Sequence, residues 1–149
     1  MAIVVKFVRL APSAICPVQA TPGAAGYDIF TATSGTRYID SECDFISLDT
    51  GLAVEIPPGY FGRIEGRSGF AKKHNLIVHS GIIDCDYRGE IKVLVKALKG
   101  SVEIKHGTRI AQLVVLPRVD VQFEEATEGL TKTHRGEGGF GSSGNGLLA

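Results

Sequence analysis

The chain has 149 residues, with 16 Lys and Arg balancing 16 Asp and Glu, 44% hydrophobic residues and 21% charged. That length predicts one domain able to bury a real core. Zero net charge excludes the global attraction to nucleic acid or to an anionic membrane that a basic excess supplies, so any anion site must be a local cluster of donors.

No apolar run approaches the roughly 18–20 residues of a membrane span. Residues 1–10 alternate apolar and polar, with Lys6 and Arg9 inside the run, and do not read as a secretory leader. Cys16, Cys43 and Cys85 are odd in number and lack CxxC spacing, which argues against a disulfide framework and a structural zinc. An intracellular, reducing setting is expected.

Short runs rich in Val and Ile predict strands at 3–8, 51–56, 60–64, 76–78, 90–97, 102–105, 110–116 and 121–124. Residues 20–28 read as a loop of small residues ending in Gly-Tyr-Asp. Pro57-Pro58-Gly59, Lys99-Gly100-Ser101 and His106-Gly107 supply turn chemistry between the runs. Only 68–73 reads as helix, of one or two turns. In 90–96, Ile91, Val93 and Val95 share one face while Lys92 and Lys96 share the other, the period of a half-buried strand. Many short strands with regular turns predict an all-β fold: a sandwich, jelly roll or distorted barrel.

The tail, 131–149, holds six glycines. Alone it cannot offset its ordering entropy by burial and is expected to be mobile. Arg135 and Phe140 set it apart from a plain Gly/Ser linker. It contains G-x-G-x-x-G at Gly136, Gly138 and Gly141, but without the strand before and helix after that a dinucleotide fold requires. What remains is a run of amides able to approach an anion, with Arg135 and two hydroxyls as further donors. A disordered tail and a polyphosphate clamp both stay open on this evidence.

Three other segments carry chemistry. In Gly66-Arg67-Ser68-Gly69, Ser68 is placed as the N-cap of the short helix, either an anion site with Arg67 or simply a capped surface helix. The ten residues from Gly81 to Glu90 hold Asp84, Asp86, Glu90 and Tyr87 and predict a hairpin with 84–88 near its turn. Asp84 follows two apolar residues and is either a general base at a cleft edge or a solvated turn residue. Cys85, with His79 nearby, lacks the partners of a metal ligand or an activated nucleophile. Gln112 is a lone polar residue in an apolar strand, and either pairs in the core or points at a ligand.

Five segments in order resemble the five motifs of the trimeric deoxyuridine triphosphate nucleotidohydrolases (dUTPases): Ala25-Gly-Tyr-Asp-Ile-Phe, Gly66-Arg-Ser-Gly-Phe-Ala, Gly81-Ile-Ile-Asp-Cys-Asp-Tyr-Arg-Gly-Glu, Arg109-Ile-Ala-Gln-Leu and Arg135-Gly-Glu-Gly-Gly-Phe-Gly-Ser-Ser-Gly. Gly66 stands where the family often has Pro, and Ser143 where Thr is common. The resemblance implies a distorted jelly-roll or β-barrel-like (β-clip) subunit over residues 1–130, a homotrimer with shared active sites, and an arm at 131–149 that completes a neighbour's site. It implies hydrolysis of dUTP to dUMP and pyrophosphate with Mg²⁺, which keeps uracil out of DNA and supplies dUMP for dTMP synthesis.

By position, the resemblance makes Asp84 the base that activates water against the α-phosphorus. Tyr87 would lie against the deoxyribose and exclude a 2′-hydroxyl. Main-chain groups of Gly81, Ile82, Ile83, Asp84 and Lys92 would read uracil, with Phe140 as its cover. Arg67, Ser68, Gly69 and Gln112 would hold phosphates, and Arg135, Gly141, Ser142 and Ser143 the γ-phosphate. Asp28 would reach the metal through water, with Mg²⁺ mainly on phosphate oxygens. Two other readings are a dCTP deaminase or bifunctional deaminase–dUTPase of similar fold, disfavoured by Tyr87 and the Arg135 clamp, and a non-catalytic nucleotide-binding or regulatory member, disfavoured by the complete motif set.

Overall fold

A computed structural model describes residues 2–138, and the chain divides into two units, 1–119 and 120–149. All the regular elements among the described residues lie in the first. They are β1 (Lys6–Arg9), β2 (Val18–Gln19), β3 (Tyr27–Phe30), β4 (Thr36–Asp40), β5 (Ile46–Glu55), β6 (Tyr60–Glu65), α1 (Ser68–His74), β7 (Leu76–Val78), β8 (Gly81–Ile83), β9 (Glu90–Ala97), β10 (Ser101–Lys105) and β11 (Arg109–Pro117). The fold is all-β, as expected. No helix among the described residues is long and apolar enough to cross a membrane.

Every ladder is antiparallel. One sheet runs β1-β5-β9-β7, a second β2-β3-β11-β6-β8, and β10 pairs with β4 alone. Period-two residues turn inward from each: Ile91, Val93, Val95 and Ala97 of β9, Val102 and Ile104 of β10, and Ala111 and Leu113 of β11. With Ile29, Ile39, Leu48, Val54, Ile56, Ile64 and Leu76 they form one continuous core. Each such side chain contributes roughly 1.5–3 kcal/mol on leaving water. Lys92 and Leu94 stay on the outer face of β9.

Two glycines shape the ladders near the site. β5 pairs with β9 through Ile46–Asp49 and with β1 through Leu52–Glu55, with a register shift between Asp49 and Ala53. Gly51 takes φ +65° in that break, a conformation costly for other residues. Its amide donates to Glu90 Oε1 (2.8 Å) while Thr50 Oγ1 donates to Ile91 O (2.6 Å), so the break braces the start of β9. On β6, a Cβ at Gly62 would lie 2.8 Å from Ile56 Cδ1, 2.9 Å from Leu113 Cδ1 and 3.2 Å from Ile83 Cβ. Only glycine lets β8 sit this close over the core.

Several expectations are corrected. The strand expected at 121–124 is absent: Val121 and Phe123 are 72% and 96% exposed, so their alternation has no sheet to face among the described residues. The expected hairpin at 81–90 is not a paired one, because β8 pairs with β6 while β9 pairs with β5 and β7. The first expected strand begins only at Lys6, and Tyr27 and Asp28, read as loop, open β3. Ser68 is not the N-cap. Arg67 holds that position, extended at φ −108° and ψ 128° without a capping side chain, and Ser68 is the first helical residue.

Candidate active site

The break between β8 and β9 makes the first half of the site. β8 is the outer strand of its sheet, so one row of its amides and carbonyls has no ladder. β7 pairs only with Val95–Ala97 of β9, and the ladder ends where the His79 amide donates to Leu94 O (2.8 Å). On that side Glu90 O accepts from the Tyr87 hydroxyl, and the main chain of Lys92 has no ladder partner among the described residues. The two unpaired edges bound a cleft of about 360 Å³ lined by Gly81, Ile82, Ile83, Asp84, Tyr87 and Lys92. All of the residues expected to read the base, except Phe140, meet here.

The link from β8 to β9 is a braced turn. The Tyr87 amide donates to Asp84 O (3.1 Å), and Arg88 Nη1 donates to Cys85 O (2.7 Å) and Tyr87 O (3.0 Å). Tyr87 Oη donates to Glu90 O (3.0 Å), so the ring folds back along the turn while staying 44% exposed. The exposed Asp84 carboxylate has no hydrogen-bond or ion-pair partner among the described residues. At the cleft's rim Lys92 Nζ pairs with Asp49 Oδ1 (2.6 Å) and Glu90 Oε2 (3.2 Å). The Asp49 hydrogen bond, then that of Glu90, raises the Lys92 pKa from its ordinary 10.5 and keeps it charged.

The second half lies on the central strands of the sheet that β8 edges. Asp28 of β3, Gln112 of β11 and Glu65 of β6 stand side by side in register. Asp28 is buried, and its carboxylate takes Arg67 Nε on Oδ1 (2.8 Å) and Arg109 Nη1 on Oδ2 (3.3 Å). Arg109 also lies over the Phe30 ring, 5.8 Å from its centroid. Gln112 Nε2 donates to Gly66 O (3.0 Å), fixing its amide beside the start of α1. Gly26 leaves the space for that amide, since a Cβ there would sit 2.6 Å from Gln112 Oε1. Ser68 and Gly69 follow, both exposed.

The result is a cationic group of two guanidiniums, a carboxamide and a hydroxyl, organised by one buried carboxylate. Arg109 was given no role on sequence grounds. Its only signal there is a cation at the edge of an apolar strand, and its partner is 81 residues away.

The two halves do not coincide within one chain. β8 pairs antiparallel with β6 so that Gly81 faces Ile64 and Ile83 faces Gly62. Asp84, one residue past Ile83, is therefore level with Phe61, whereas Glu65, level with Asp28 and Gln112, lies at the other end of β6. Four residues separate those levels, about 13 Å along the strand axis. Arg135 belongs to the second unit, where its Nε donates to Gly138 O (2.8 Å). Phe140, Gly141, Ser142 and Ser143 lie outside the described residues. No group of three His, Cys, Asp or Glu side chains among the described residues is placed to hold a metal, and the three cysteines are free.

Comparison with known proteins agrees with this fold. The dUTPase family model matches residues 12–144. The chain is 45% identical over 148 residues to the deoxyuridine 5′-triphosphate nucleotidohydrolase of Beijerinckia indica, covering 97% of this chain and 92% of that one. It is 40% identical over 140 residues to that of Mus musculus, covering 93% and 84%. The structure of a Staphylococcus bacteriophage 80alpha dUTPase mutant with dUpNHpp superposes with a TM-score of 0.88 at 29% identity, covering 96% of this chain and 99% of that one. The chain therefore belongs to the dUTPase family, enzymes that hydrolyse dUTP to dUMP and pyrophosphate.

Proposed function

We propose that dUTP binds with uracil in the β8–β9 cleft, and that Asp84 accepts a proton from the water that attacks the α-phosphorus. The new bond joins water oxygen to phosphorus as the bond to the bridging α–β oxygen breaks and pyrophosphate leaves. The observation that carries this reading is the contrast between two carboxylates. Asp28 is buried and paired twice, whereas Asp84 has no partner among the described residues and stands at the edge of a cleft walled by open main-chain donors and acceptors. A group free to accept a proton, next to groups able to orient a base, is what general-base hydrolysis needs.

Gly81, Ile82, Ile83, Asp84 and Lys92 read the uracil edge through backbone groups, and Tyr87 lies against the sugar. Arg67, Ser68, Gly69 and Gln112 bind phosphates, and Arg109 joins them through Asp28. The separation of about 13 Å along the strand supports a site completed by another copy, because adjacent phosphates on one triphosphate are far closer than that. A homotrimer with shared sites satisfies this, the arm at 131–149 bringing Arg135, Phe140, Gly141, Ser142 and Ser143 to the γ-phosphate and the base.

Mg²⁺ arriving on the triphosphate needs no protein cage, because it keeps most of its waters and phosphate oxygens. Asp28 fits as an outer partner through water: a carboxylate accepts up to about four hydrogen bonds, and the two guanidiniums leave lone pairs free. Bound there, the ion would spread the charge of the departing pyrophosphate. Free cysteines and neutral charge support an intracellular setting without nucleic-acid or membrane partners.

The test is Asp84→Asn, which keeps shape but removes the proton acceptor. We expect kcat to fall about 10²–10⁴-fold while affinity for a non-hydrolysable dUTP analogue stays within a few-fold. Near-normal turnover would end the reading.

A further inference from the structure

We propose that Gly89 is a positioning residue for sugar selection: its missing side chain is the seat in which the Tyr87 ring rests. This deepens the proposed role of Tyr87 and rests on it. A Cβ built at Gly89 would overlap Tyr87 Oη and lie 2.5 Å from Cζ and 2.9 Å from Cε2, distances that real Cβ atoms do not reach. The ring is thus laid directly over the Gly89 α-carbon, and the hydrogen bond from Oη to Glu90 O (3.0 Å) holds it there. Tyr87 also lines the cleft that Asp84, Ile83 and Lys92 share.

The conflict would be resolved by the ring, not by the chain. Gly89 is outside the left-handed region of backbone space, so alanine can take its conformation. The surrounding backbone is braced by the Tyr87 amide to Asp84 O and by Arg88 Nη1 to two carbonyls. The ring is 44% exposed and held at its tip by one hydrogen bond. A methyl group at position 89 therefore swings the ring out of its seat and breaks the contact with Glu90 O. Steric exclusion of a hydroxyl depends on where a ring edge stands, so a displaced ring no longer closes the 2′ position. Gly89 touches no substrate; it acts through Tyr87.

The experiment is a double-mutant cycle on full-length enzyme with Mg²⁺: parent, Gly89→Ala, Tyr87→Ala and the double variant. kcat/KM is measured for dUTP and UTP, with thermal unfolding alongside. Gly89→Ala should raise the UTP/dUTP ratio about tenfold or more, the scale of discrimination by small steric differences, and should change nothing further once Tyr87 is alanine. An unchanged ratio in Gly89→Ala, with a raised one in Tyr87→Ala, would overturn the inference and leave the Tyr87 reading standing. Equal shifts in both backgrounds would overturn it too, since Gly89 would then act independently of the ring. An unchanged ratio in Tyr87→Ala would remove the Tyr87 reading and this inference with it. Should Gly89→Ala fail to fold beside Tyr87, recovery in the Tyr87→Ala background would support the seat, and failure in both would overturn it.

Discussion

Replacing Asp28 by Asn tests whether one buried carboxylate organises the phosphate half of the site. Asn keeps the volume but loses the charge, and its amide presents a donor where two guanidiniums already donate. Removing one partner from a fully buried pair costs about 3–5 kcal/mol. Here the Asp28 side chain is 8% exposed, but Arg67 and Arg109 are 29% and 53% exposed, so water can partly resolvate both. The appropriate scale is that of charged hydrogen bonds, giving about 2–3 kcal/mol. For a chain of this size that is a fall of roughly 5–10 °C in the unfolding midpoint, read at fixed protein concentration because assembly raises apparent stability. Arg67, freed from its anchor, should also raise KM for dUTP about tenfold, or 1.4 kcal/mol. A role confined to metal bound with substrate makes a different prediction: unchanged stability without ligand and a shifted Mg²⁺ dependence. A midpoint within 1 °C or so of the parent would refute the organising role.

Deleting 131–149 removes Arg135, Phe140 and the tail glycines but none of the strands, the last of which ends at Pro117. Hydrolysis of dUTP should fall about 10²-fold or more, as for lost charge-stabilising donors, with the β circular-dichroism spectrum retained; full activity would sink the clamp. Lys92 carries a pH signature. Its folded pKa is raised, so the stability from its pairs is fully present below its ordinary 10.5 and is lost as pH rises through the higher folded value. Lys92→Met should therefore flatten the decline of the unfolding midpoint above that pH, and an identical alkaline limb in both proteins would count against the pairing.

The strands at 60–65, 76–78, 90–97 and 109–117 were legible because branched residues alternate there and turns bound them. β4 was not: Thr36, Arg37, Tyr38 and Asp40 are exposed, and only Ile39 enters the core. β3 was hidden by Asp28, a buried charge that becomes reasonable only once Arg67 and Arg109 are known to surround it. Those partners are far apart in sequence and leave no local signal. The error at 121–124 has the opposite cause. Val121 and Phe123 carry a true β pattern, but a pattern names a face and not the strand that will cover it. Of the site, residue types were readable from the motifs. That Asp84 and the Arg67 group stand apart was not, because it follows from the β6–β8 register.

A base reader made of main chain, as proposed for the β8–β9 cleft, would keep its information in a spacing rather than in an alphabet. Ile82 is more than half exposed and could drift among many residues without altering the row of amides and carbonyls beneath it. Its fidelity would instead be vulnerable from behind. Gly62 touches no substrate, yet it sets how closely β8 lies over Ile56 and Leu113. A methyl group there would push outward on Ile83 and widen the slot, admitting a larger base while every residue lining the slot stayed the same. On the proposed reading, which pyrimidine nucleotide is hydrolysed would depend on core packing behind the slot.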